Sequence, residues 1–292
     1  MDVSIIIVNW NVRGLLYNCL QSIFLFAKET DYEVTVIDND SKDGSREMLR
    51  MLEREYKNLR VILNNENTGF AKANNQGLRA ARGKYVLFMN PDMEFVENTA
   101  KKMFNYMETH PDAGAVTCGL QYGSGRRQPN VKRNPTFLSQ VWILYKLHHF
   151  FQPAFFKNYL AKDFDYSREQ AAEQIMGAFI FARRDLIIKI GGWSEDYFVW
   201  WEDVDLCTRL RRLGETIMYV PDTSVIHYES QSFSQQLSLT KQRRFNRGLL
   251  TYFKKYHSSV AWLFLTLISW DSLVLAWLVQ VLKFRPKSQA KL

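Results

Sequence analysis

Two acidic motifs in this sequence could do chemistry, and they lie far apart in the chain. Asn-Pro-Asp at 90–92 follows the apolar run 85–89, and Glu-Asp-Val-Asp at 202–205 follows two tryptophans. A carboxylate at the exit of a buried strand can hold a divalent cation against a phosphate. A second carboxylate in an aromatic pocket can accept a proton. Together the two motifs predict metal-assisted group transfer from a diphosphate.

The composition is that of a folded protein with a basic surface. The 292 residues are 47% hydrophobic, and the formal charge of +8 predicts an anionic partner: nucleic acid, an anionic lipid surface or a phosphorylated substrate. Three widely spaced cysteines without a CxxC motif indicate neither a disulfide framework nor a zinc site. Residues 3–8 are typical of a core strand rather than a signal peptide. We therefore expect a catalytic part on the cytoplasmic side.

The elements that must position the two motifs can be predicted from the first third of the chain. Short β-branched runs alternate there with longer helical patterns, which requires crossover connections and hence a mostly parallel sheet with helices on both faces. The predicted strands are 5–8, 32–37, 60–63 and 85–89, and the predicted helices are 15–28, 45–57 with a Ser45 cap, and 71–82 closed by Gly83.

Polar residues follow these strands, at the sheet edge where ligands of parallel sheets bind. Asp38 can accept hydrogen bonds from a base or a ribose, and Gly69 precedes a helix whose N-terminus can receive an anion. Each segment taken alone is also typical of an ordinary turn. The candidate donor-binding residues are Asn9, Asn11, Asp38, Asp40, Asn67, Gly69, Lys72, Asn75 and Asn90.

The ordered set of motifs resembles the inverting family 2 glycosyltransferases with the GT-A fold. Asn90-Pro91-Asp92 looks like that family's variant of the metal-binding Asp-x-Asp, and Asp38 matches its nucleotide-base aspartate. A later block, from residue 177 to residue 209, resembles the acceptor side of the family. Its candidate residues are Gly177, Ala178, Trp201 and Arg209. The resemblance covers about residues 3 to 232.

The resemblance implies a chemical role for each acidic motif. Asp92 would hold a divalent metal, Mg²⁺ or Mn²⁺, that neutralises the departing nucleoside diphosphate. Asp203 would be the base that deprotonates the acceptor, with Glu202 as the alternative, and direct displacement would invert the anomeric carbon. Asp205 is instead placed to form an i,i+4 ion pair with Arg209.

His227 begins a segment that resembles the family's His-x-x-Gly-x-Ser motif. The resemblance makes His227 a candidate ligand of the metal or the diphosphate, whereas a lone histidine after a strand is also typical of a structural residue. This chain has Ser230 where the relatives have Gly.

Three later segments are open to more than one interpretation. Residues 119–135 are basic and predict a mobile loop that could order over a diphosphate. Residues 141–159 fit an amphipathic surface helix or a core helix. Residues 260–282 are apolar enough to cross a bilayer but contain Asp271, and basic residues flank both ends. A spanning helix, a hairpin broken near 269–272, an interfacial helix and a buried hairpin or dimer interface all remain open.

The predicted fold class is α/β, a GT-A domain with a mixed, mostly parallel sheet and a C-terminal hydrophobic helical tail. We assign 1–115 to a nucleotide-sugar half, 116–235 to an acceptor half and 236–292 to a membrane-associating tail. Such a tail suits a lipid-linked acceptor and accounts for the basic charge without nucleic acid.

The function that the resemblance implies is metal-dependent transfer of a sugar from a nucleotide-sugar donor, and rhamnose is the first sugar that we expect. The acceptor would be lipid-linked or a polysaccharide, at the cytoplasmic face of the inner membrane, and an oligomer could form through the C-terminal helices. One alternative is a sugar nucleotidyltransferase, which would have a glycine-rich loop with a basic residue after the first strand, and residues 9–14 fit such a loop poorly. The other alternative is a membrane-bound scaffold without turnover.

Overall fold

The computed structural model describes residues 1–228 and 238–284. Several sequence features lie outside these ranges: the motif residues 229–232, the expected domain boundary at 235, and the flanking cations Arg285 and Lys287.

The strands lie between residues 3 and 227 and are numbered along the chain. They are β1 (Val3–Asn9), β2 (Tyr32–Asp38), β3 (Leu59–Leu63), β4 (Tyr85–Met89), β5 (Met93–Phe95), β6 (Ala113–Gln121), β7 (Arg127–Gln128), β8 (Val131–Lys132), β9 (Gln170–Ala171), β10 (Gln174–Ile175), β11 (Phe179–Arg183) and β12 (Thr216–His227).

The helices lie mostly between these strands, and the last two follow them. They are α1 (Arg13–Phe26), α2 (Ser45–Glu55), α3 (Phe70–Ala80), α4 (Thr99–Thr109), α5 (Phe137–Leu144), α6 (Ala154–Tyr159), α7 (Arg184–Lys189), α8 (Glu202–Arg212), α9 (Ser238–Tyr256) and α10 (Ser259–Phe284), with a 3₁₀ turn at Leu147–His149.

The main sheet has the strand order β3-β2-β1-β4-β11-β6-β12-β5. The first four of these strands are parallel, β11 runs antiparallel between β4 and β6, and β12 is parallel to β6. The mixed, mostly parallel sheet expected from the sequence is therefore confirmed. The seven predicted elements up to residue 89 are also confirmed, with boundaries that shift by at most a few residues.

Helices cover both faces of the sheet, which is why β1 is buried along its whole length. Successive residues of β1 point to opposite faces. Ile5 and Ile7 belong to the core shared with α1, α2 and α4, whereas Ile6 and Val8 belong to the core shared with α3 and α8. This double-sided packing fixes the carboxyl ends of the strands and the polar residues that follow them.

Two helix boundaries differ from the sequence expectation. The residue before α2 is Gly44, whose φ of 84° a side chain would strain, and Ser45 lies inside the helix with its Oγ donating to Asp43 Oδ1 at 2.6 Å. Helix α3 ends at Ala80 and not at Gly83. Asp43, rather than Ser45, therefore organises the start of α2.

The three ambiguous segments adopt definite structures. Residues 119–135 contain the end of β6 together with β7 and β8 and bury Gln128 and Asn130, so that the expected solvated loop is limited to the exposed run at residues 123–127, around the turn between β6 and β7. Residues 141–159 are broken into the end of α5, a 3₁₀ turn and α6. Helix α10 runs unbroken through residues 269–272, which excludes a re-entrant break there.

The C-terminal tail is a helical hairpin packed on the sheet domain. Helices α9 and α10 meet at residues 257–258, and together they form a third core that includes Trp201, Leu249, Phe253 and Leu265. Within residues 1–228 and 238–284, one helical segment, Ser259–Leu278, is long and apolar enough to cross a membrane. The tail is therefore built onto the region around Trp201, next to the second acidic motif.

Two helical glycines give a test of the packing between α3 and the sheet. A Cβ on Gly77 would lie 2.4 Å from Ile6 Cγ2, whereas a Cβ on Gly14 would meet no atom within 4 Å. We expect Gly77→Ala to destabilise the fold by about 1–3 kcal/mol through overpacking. Gly14→Ala should instead stabilise it by up to about 1 kcal/mol, because alanine loses less backbone entropy. Urea unfolding of both variants measures the change in the free energy of unfolding. Equal changes in the two variants would contradict the close packing of α3 on the sheet at Gly77.

Candidate active site

A cavity of about 330 Å³ opens beyond the carboxyl ends of the central strands. It is lined by the turns after β1, β2, β3 and β4, by β8 and the segment after β10, by the segment 198–203 that leads into α8, by the end of β12, and by one residue of α9. The predicted site residues that line it are Asn67, Gly69, Asn90, Asp92, Gly177, Ala178, Glu202, Asp203 and His227. The fold thus brings both acidic motifs to one cavity.

Asp203 is held at the cavity wall by backbone donors. Its Oδ2 accepts a hydrogen bond from the Gly177 N–H at 3.0 Å, and its Oδ1 accepts one from the Val204 N–H at 2.8 Å. A Cβ on Gly177 would lie 3.1 Å from the Asp203 Cβ, so glycine allows this close approach. Burial raises the pKa of Asp203 above the ordinary aspartate value. A fixed carboxylate with a raised pKa suits a general base.

Glu202 occupies a different environment one residue earlier. It is buried, and its Oε2 has no hydrogen-bond partner. Burial and the neighbouring charge of Asp203 raise the pKa of Glu202 to about 8. The raised pKa favours the protonated form of Glu202 near neutrality, with the proton shared between two interacting carboxyl groups.

The turn before α8 has an unusual backbone. Trp200 and Trp201 both adopt left-handed conformations, with φ of 66° and 72°. Such conformations are strained for bulky residues and persist only where packing holds them. Trp201 is packed against Phe245 and Tyr252 of α9, and a Cβ on Gly248 would lie 2.7 Å from Trp201 Cδ1. Helix α9 thereby holds the turn that presents the acidic pair.

Asp92 and His227 lie together in the lining of the same cavity. Asp92 follows β4, His227 ends β12, and the distance between His227 Nε2 and Asp92 Oδ1 is 3.4 Å. Both side chains are buried, yet neither of these two atoms has a hydrogen-bond partner. His227 Nδ1 lies 2.9 Å from Gln128 Oε1, an arrangement that directs a lone pair on Nε2 toward Asp92.

These two orphaned atoms fit a divalent cation. A carboxylate oxygen and a neutral imidazole nitrogen are suitable donors for Mn²⁺, and an oxygen-rich shell suits Mg²⁺. Among the described residues, no group of three or more His, Cys, Asp or Glu side chains is arranged to hold a metal. The remaining ligands would have to be water and substrate oxygens, as is common for cations that bridge phosphates.

The turns after β2 and β3 form another part of the cavity wall. Asn39 connects them, because its Nδ2 donates to Asn67 Oδ1 at 3.0 Å and its Oδ1 accepts from the Thr68 N–H at 3.1 Å. Gly69 has a φ of 85°, and a Cβ there would lie 2.6 Å from the Phe198 carbonyl oxygen. Glycine is therefore needed where this turn approaches the Phe198 segment.

Asn9 and Asp38 do not line the cavity. Asp38 is fully buried and accepts hydrogen bonds from Asn9 Nδ2 at 2.8 Å and from the Ser41 N–H at 3.0 Å. The structure thus places Asp38 inside the turn after β2, where it connects that turn to the end of β1.

The other predicted donor residues outside the cavity lining make contacts with neighbouring turns. Asn11 accepts from the Lys42 N–H at 2.7 Å, and Asp40 forms an ion pair with Lys42 at 2.5 Å. Asn75 donates to the Trp193 carbonyl at 2.8 Å, while Lys72 is exposed on α3. Asn11, Asp40 and Asn75 thus support the turns that border the site.

Trp201 and Arg209 also lie outside the lining. Arg209 Nε donates to Asp205 Oδ2 at 2.6 Å, which confirms the predicted i,i+4 pair. The Arg209 guanidinium also donates to the Ile190 and Gly192 carbonyls at 2.7 Å each. Arg209 therefore fixes α8 to the turn at 190–192.

Eleven lining residues are absent from the candidates chosen by sequence. They are Val8, Trp10, Asn39, Phe70, Pro91, Lys132, Met176, Phe198, Val199, Trp200 and Arg244. Trp10, Asn39 and Trp200 are direct neighbours of chosen residues, and Lys132 lies in the basic segment 119–135, so a signal existed for these four. Arg244 has no local signal, because the return of α9 brings its guanidinium to 4.4 Å from the Phe198 ring.

The glycosyl transferase family 2 sequence model matches residues 4–175, which is more than half of the chain. The chain is a family 2 glycosyltransferase. Its sequence is rhamnosyltransferase-like. It is 25% identical over 244 residues to the N-acetylglucosaminyl-diphospho-decaprenol L-rhamnosyltransferase of Mycobacterium tuberculosis, covering 78% of this chain and 76% of that protein. It is 27% identical over 233 residues to the rhamnosyltransferase WbbL of Escherichia coli K12, covering 77% and 83%.

Solved structures confirm the GT-A fold of this glycosyltransferase. The mannosyltransferase PcManGT of Pyrobaculum calidifontis, in complex with GDP-Man and Mn²⁺, matches with a TM-score of 0.60 at 17% identity, over 96% of this chain and 75% of that one. S. aureus TarS 1-349 in complex with UDP-GlcNAc matches with a TM-score of 0.59 at 18% identity, over 86% and 65%.

The contacts of Arg209 in the glycosyltransferase predict a structural effect on substitution. Arg209→Gln would leave the fully buried Asp205 without its closest cation, and we expect a loss of about 3 kcal/mol of stability. The exposed pair of Arg168 and Asp165 is the control, since Arg168→Gln should cost less than about 1 kcal/mol. Chemical denaturation measures both. A fully stable Arg209→Gln protein that loses only acceptor affinity would instead support an acceptor-binding role.

Proposed function

We propose that this glycosyltransferase is a metal-dependent, inverting enzyme that moves a sugar from a nucleotide diphosphate donor to a lipid-linked or polysaccharide acceptor. One observation carries the proposal. The carboxylate of Asp203 and the orphaned atoms of Asp92 and His227 border the same cavity. A proton acceptor and a binding site for a diphosphate-bound cation are the two parts that this reaction needs.

The proposed reaction is a single displacement. The Asp203 carboxylate accepts the proton of the acceptor hydroxyl while that oxygen forms a bond to the anomeric carbon. The bond between the anomeric carbon and the diphosphate oxygen breaks, and its electron pair leaves with the nucleoside diphosphate. One displacement on one face of the sugar inverts the anomeric configuration.

The surrounding residues have supporting roles in this proposal. A divalent cation held by Asp92 and His227 would neutralise charge on the leaving diphosphate. Asn67, Gly69 and Asn90 border the donor side, and Gly177 and Ala178 border the acceptor side next to Asp203. The candidates outside the lining, including Asp38, Asn75 and Trp201, would act by positioning the turns that carry these groups.

We propose rhamnose as the sugar of the donor. We propose a polyprenyl-diphosphate-linked sugar as the acceptor. Two relatives that cover most of the chain are rhamnosyltransferases by name, and the name of one specifies a decaprenol-linked diphospho-sugar. The apolar C-terminal helix supports an enzyme that works at a membrane. We place the reaction at the cytoplasmic face of the plasma membrane, with the nucleotide sugar supplied from the cytoplasm.

Substitution of the acidic pair tests the assignment of the base. We expect Asp203→Asn to lower the rate of nucleoside diphosphate release by about 1000-fold, because the amide cannot accept the proton. Glu202→Gln should stay within about threefold of the wild type at pH 7, because glutamine resembles the protonated carboxyl. The assay uses a panel of sugar nucleotides with a lipid-linked acceptor extract. A Glu202→Gln enzyme as inactive as Asp203→Asn would make Glu202 the base.

The rate should also depend on pH with a definite sign. Because the base must be ionised, the rate should fall as the pH is lowered through the pKa of Asp203. Since burial raises that pKa, the fall should lie above the range of an ordinary aspartate. A rate independent of pH below neutrality would contradict this assignment.

The cation site predicts a loss of metal binding in one variant. Loss of a residue that only orients a metal ligand typically weakens metal binding by roughly 10–100-fold. Asp92→Asn would remove a direct ligand, so we expect a larger loss of Mn²⁺ binding. Asp222→Asn is the matched control, since Asp222 is exposed on the same strand as His227. Electron paramagnetic resonance of free Mn²⁺, with and without nucleoside diphosphate, measures both. Equal Mn²⁺ binding by the two variants would remove Asp92 from the site.

A further inference from the structure

Helix α10 has its apolar side facing outward. Seven large apolar residues at helical spacing are each more than half exposed: Val260, Leu263, Phe264, Leu267, Trp270, Val274 and Trp277. We call them the outer stripe. The buried stripe on the opposite side includes two serines, Ser269 and Ser272. A helix packed on a water-soluble domain normally has the reverse arrangement. An exposed apolar stripe of this length indicates a surface that is covered by something else.

Polar contacts fix the buried side of α10 along the domain. Asn246 Nδ2 donates to the Ser269 carbonyl at 2.9 Å and to Ser272 Oγ at 2.8 Å. The Tyr145 hydroxyl donates to Asp271 Oδ2 at 2.8 Å. These contacts lie near the middle of the helix, so α10 lies flat against α9 and α5. A bilayer-spanning helix would carry Asp271 and these polar contacts to the centre of the membrane, where they are unfavourable.

A basic cleft runs between α9 and α10, beside the outer stripe. It has a volume of about 400 Å³ and is lined by Arg243, Arg247 and Lys254 of α9 and by Trp262 and Trp270 of α10. Arginine and lysine bind phosphate oxygens, and tryptophan favours the boundary between headgroups and acyl chains. Trp270 belongs to both the cleft and the outer stripe, so the two features are continuous.

We propose that the α9–α10 hairpin docks the protein in the plane of an anionic bilayer. The outer stripe enters the boundary between headgroups and acyl chains, and the basic cleft takes the phosphate of an anionic lipid. Charge complementarity favours a bilayer over a second copy of the chain, because two copies joined through α10 would bring two basic clefts together. This inference rests on the hairpin alone and is independent of the proposed sugar transfer.

Vesicle co-sedimentation of the full chain tests the docking surface without any assay of transfer. Wild-type protein should bind vesicles of phosphatidylcholine with phosphatidylglycerol. Leu267→Glu and Trp270→Glu should each weaken binding by at least about tenfold, because they place a charge in the outer stripe. Leu25→Glu is the control, since Leu25 is 56% exposed on α1, away from the hairpin. Binding that survives both stripe variants would overturn the proposal.

The cleft is tested by a pair of arginines on one helix. The double variant Arg243→Gln with Arg247→Gln should weaken binding to anionic vesicles by about 25-fold, roughly fivefold for each charge near the surface. Arg50→Gln with Arg54→Gln is the matched control, an exposed i,i+4 pair on α2. If the control pair weakens vesicle binding by the same factor, only the total charge of the protein matters. That result would overturn the assignment of the cleft as a site for a lipid phosphate.

Depth measurements distinguish the in-plane helix from a spanning one. The three native cysteines are buried, so spin labels can be placed at Leu263→Cys and Leu278→Cys. An in-plane helix puts both labels at the same shallow depth, whereas a spanning helix separates them by about 20 Å. Different depths would overturn the proposal. A second result would also overturn the proposal: a wild-type protein that does not bind vesicles and forms a dimer in solution that Leu267→Glu dissociates. A second copy of the chain would then cover the outer stripe.

Discussion

The active site depends on one strained turn, the two left-handed tryptophans before α8. Each left-handed bulky residue costs on the order of 1–3 kcal/mol, and the turn persists only because the domain holds it. Burial of Trp201 against Phe245 and Tyr252 of α9 offsets that cost, and Gly248 provides the space for the indole. The turn directs Glu202 and Asp203 into the cavity. The C-terminal hairpin is therefore a structural part of the candidate active site, although it lies outside the sheet that defines the fold.

Helix α8 shows how environment gives different roles to neighbouring carboxylates. Asp205 is fully buried and receives hydrogen bonds from Arg209, Tyr197 and Tyr256, so all of its charge is used inside the protein. Asp203 receives hydrogen bonds from backbone N–H groups and faces the cavity. Glu202 has no partner on Oε2, and burial raises its pKa so that the protonated form is favoured near neutrality. Three acidic residues within four positions thus lie in three distinct environments.

The sequence predicted the first seven elements well because each is encoded by a local pattern of apolar residues and turn formers. It also predicted that Asp92 and Asp203 would meet, through their positions in an ordered set of motifs. The Asp38 carboxylate accepts hydrogen bonds from within the protein. The sequence could not distinguish it from a carboxylate that faces a ligand, because both types of aspartate occur in the same strand-to-turn motif. Arg244 was beyond sequence reasoning, since its place depends on how α9 folds back over Phe198.

The outward apolar stripe of α10 has a consequence for kinetics. A protein confined to a surface searches for a lipid-linked acceptor in two dimensions, while the nucleotide sugar arrives from three. Saturation by the acceptor then follows its mole fraction in the membrane and not its bulk concentration. Diluting the acceptor with inert lipid would slow such an enzyme, whereas diluting the whole suspension of vesicles with buffer would not.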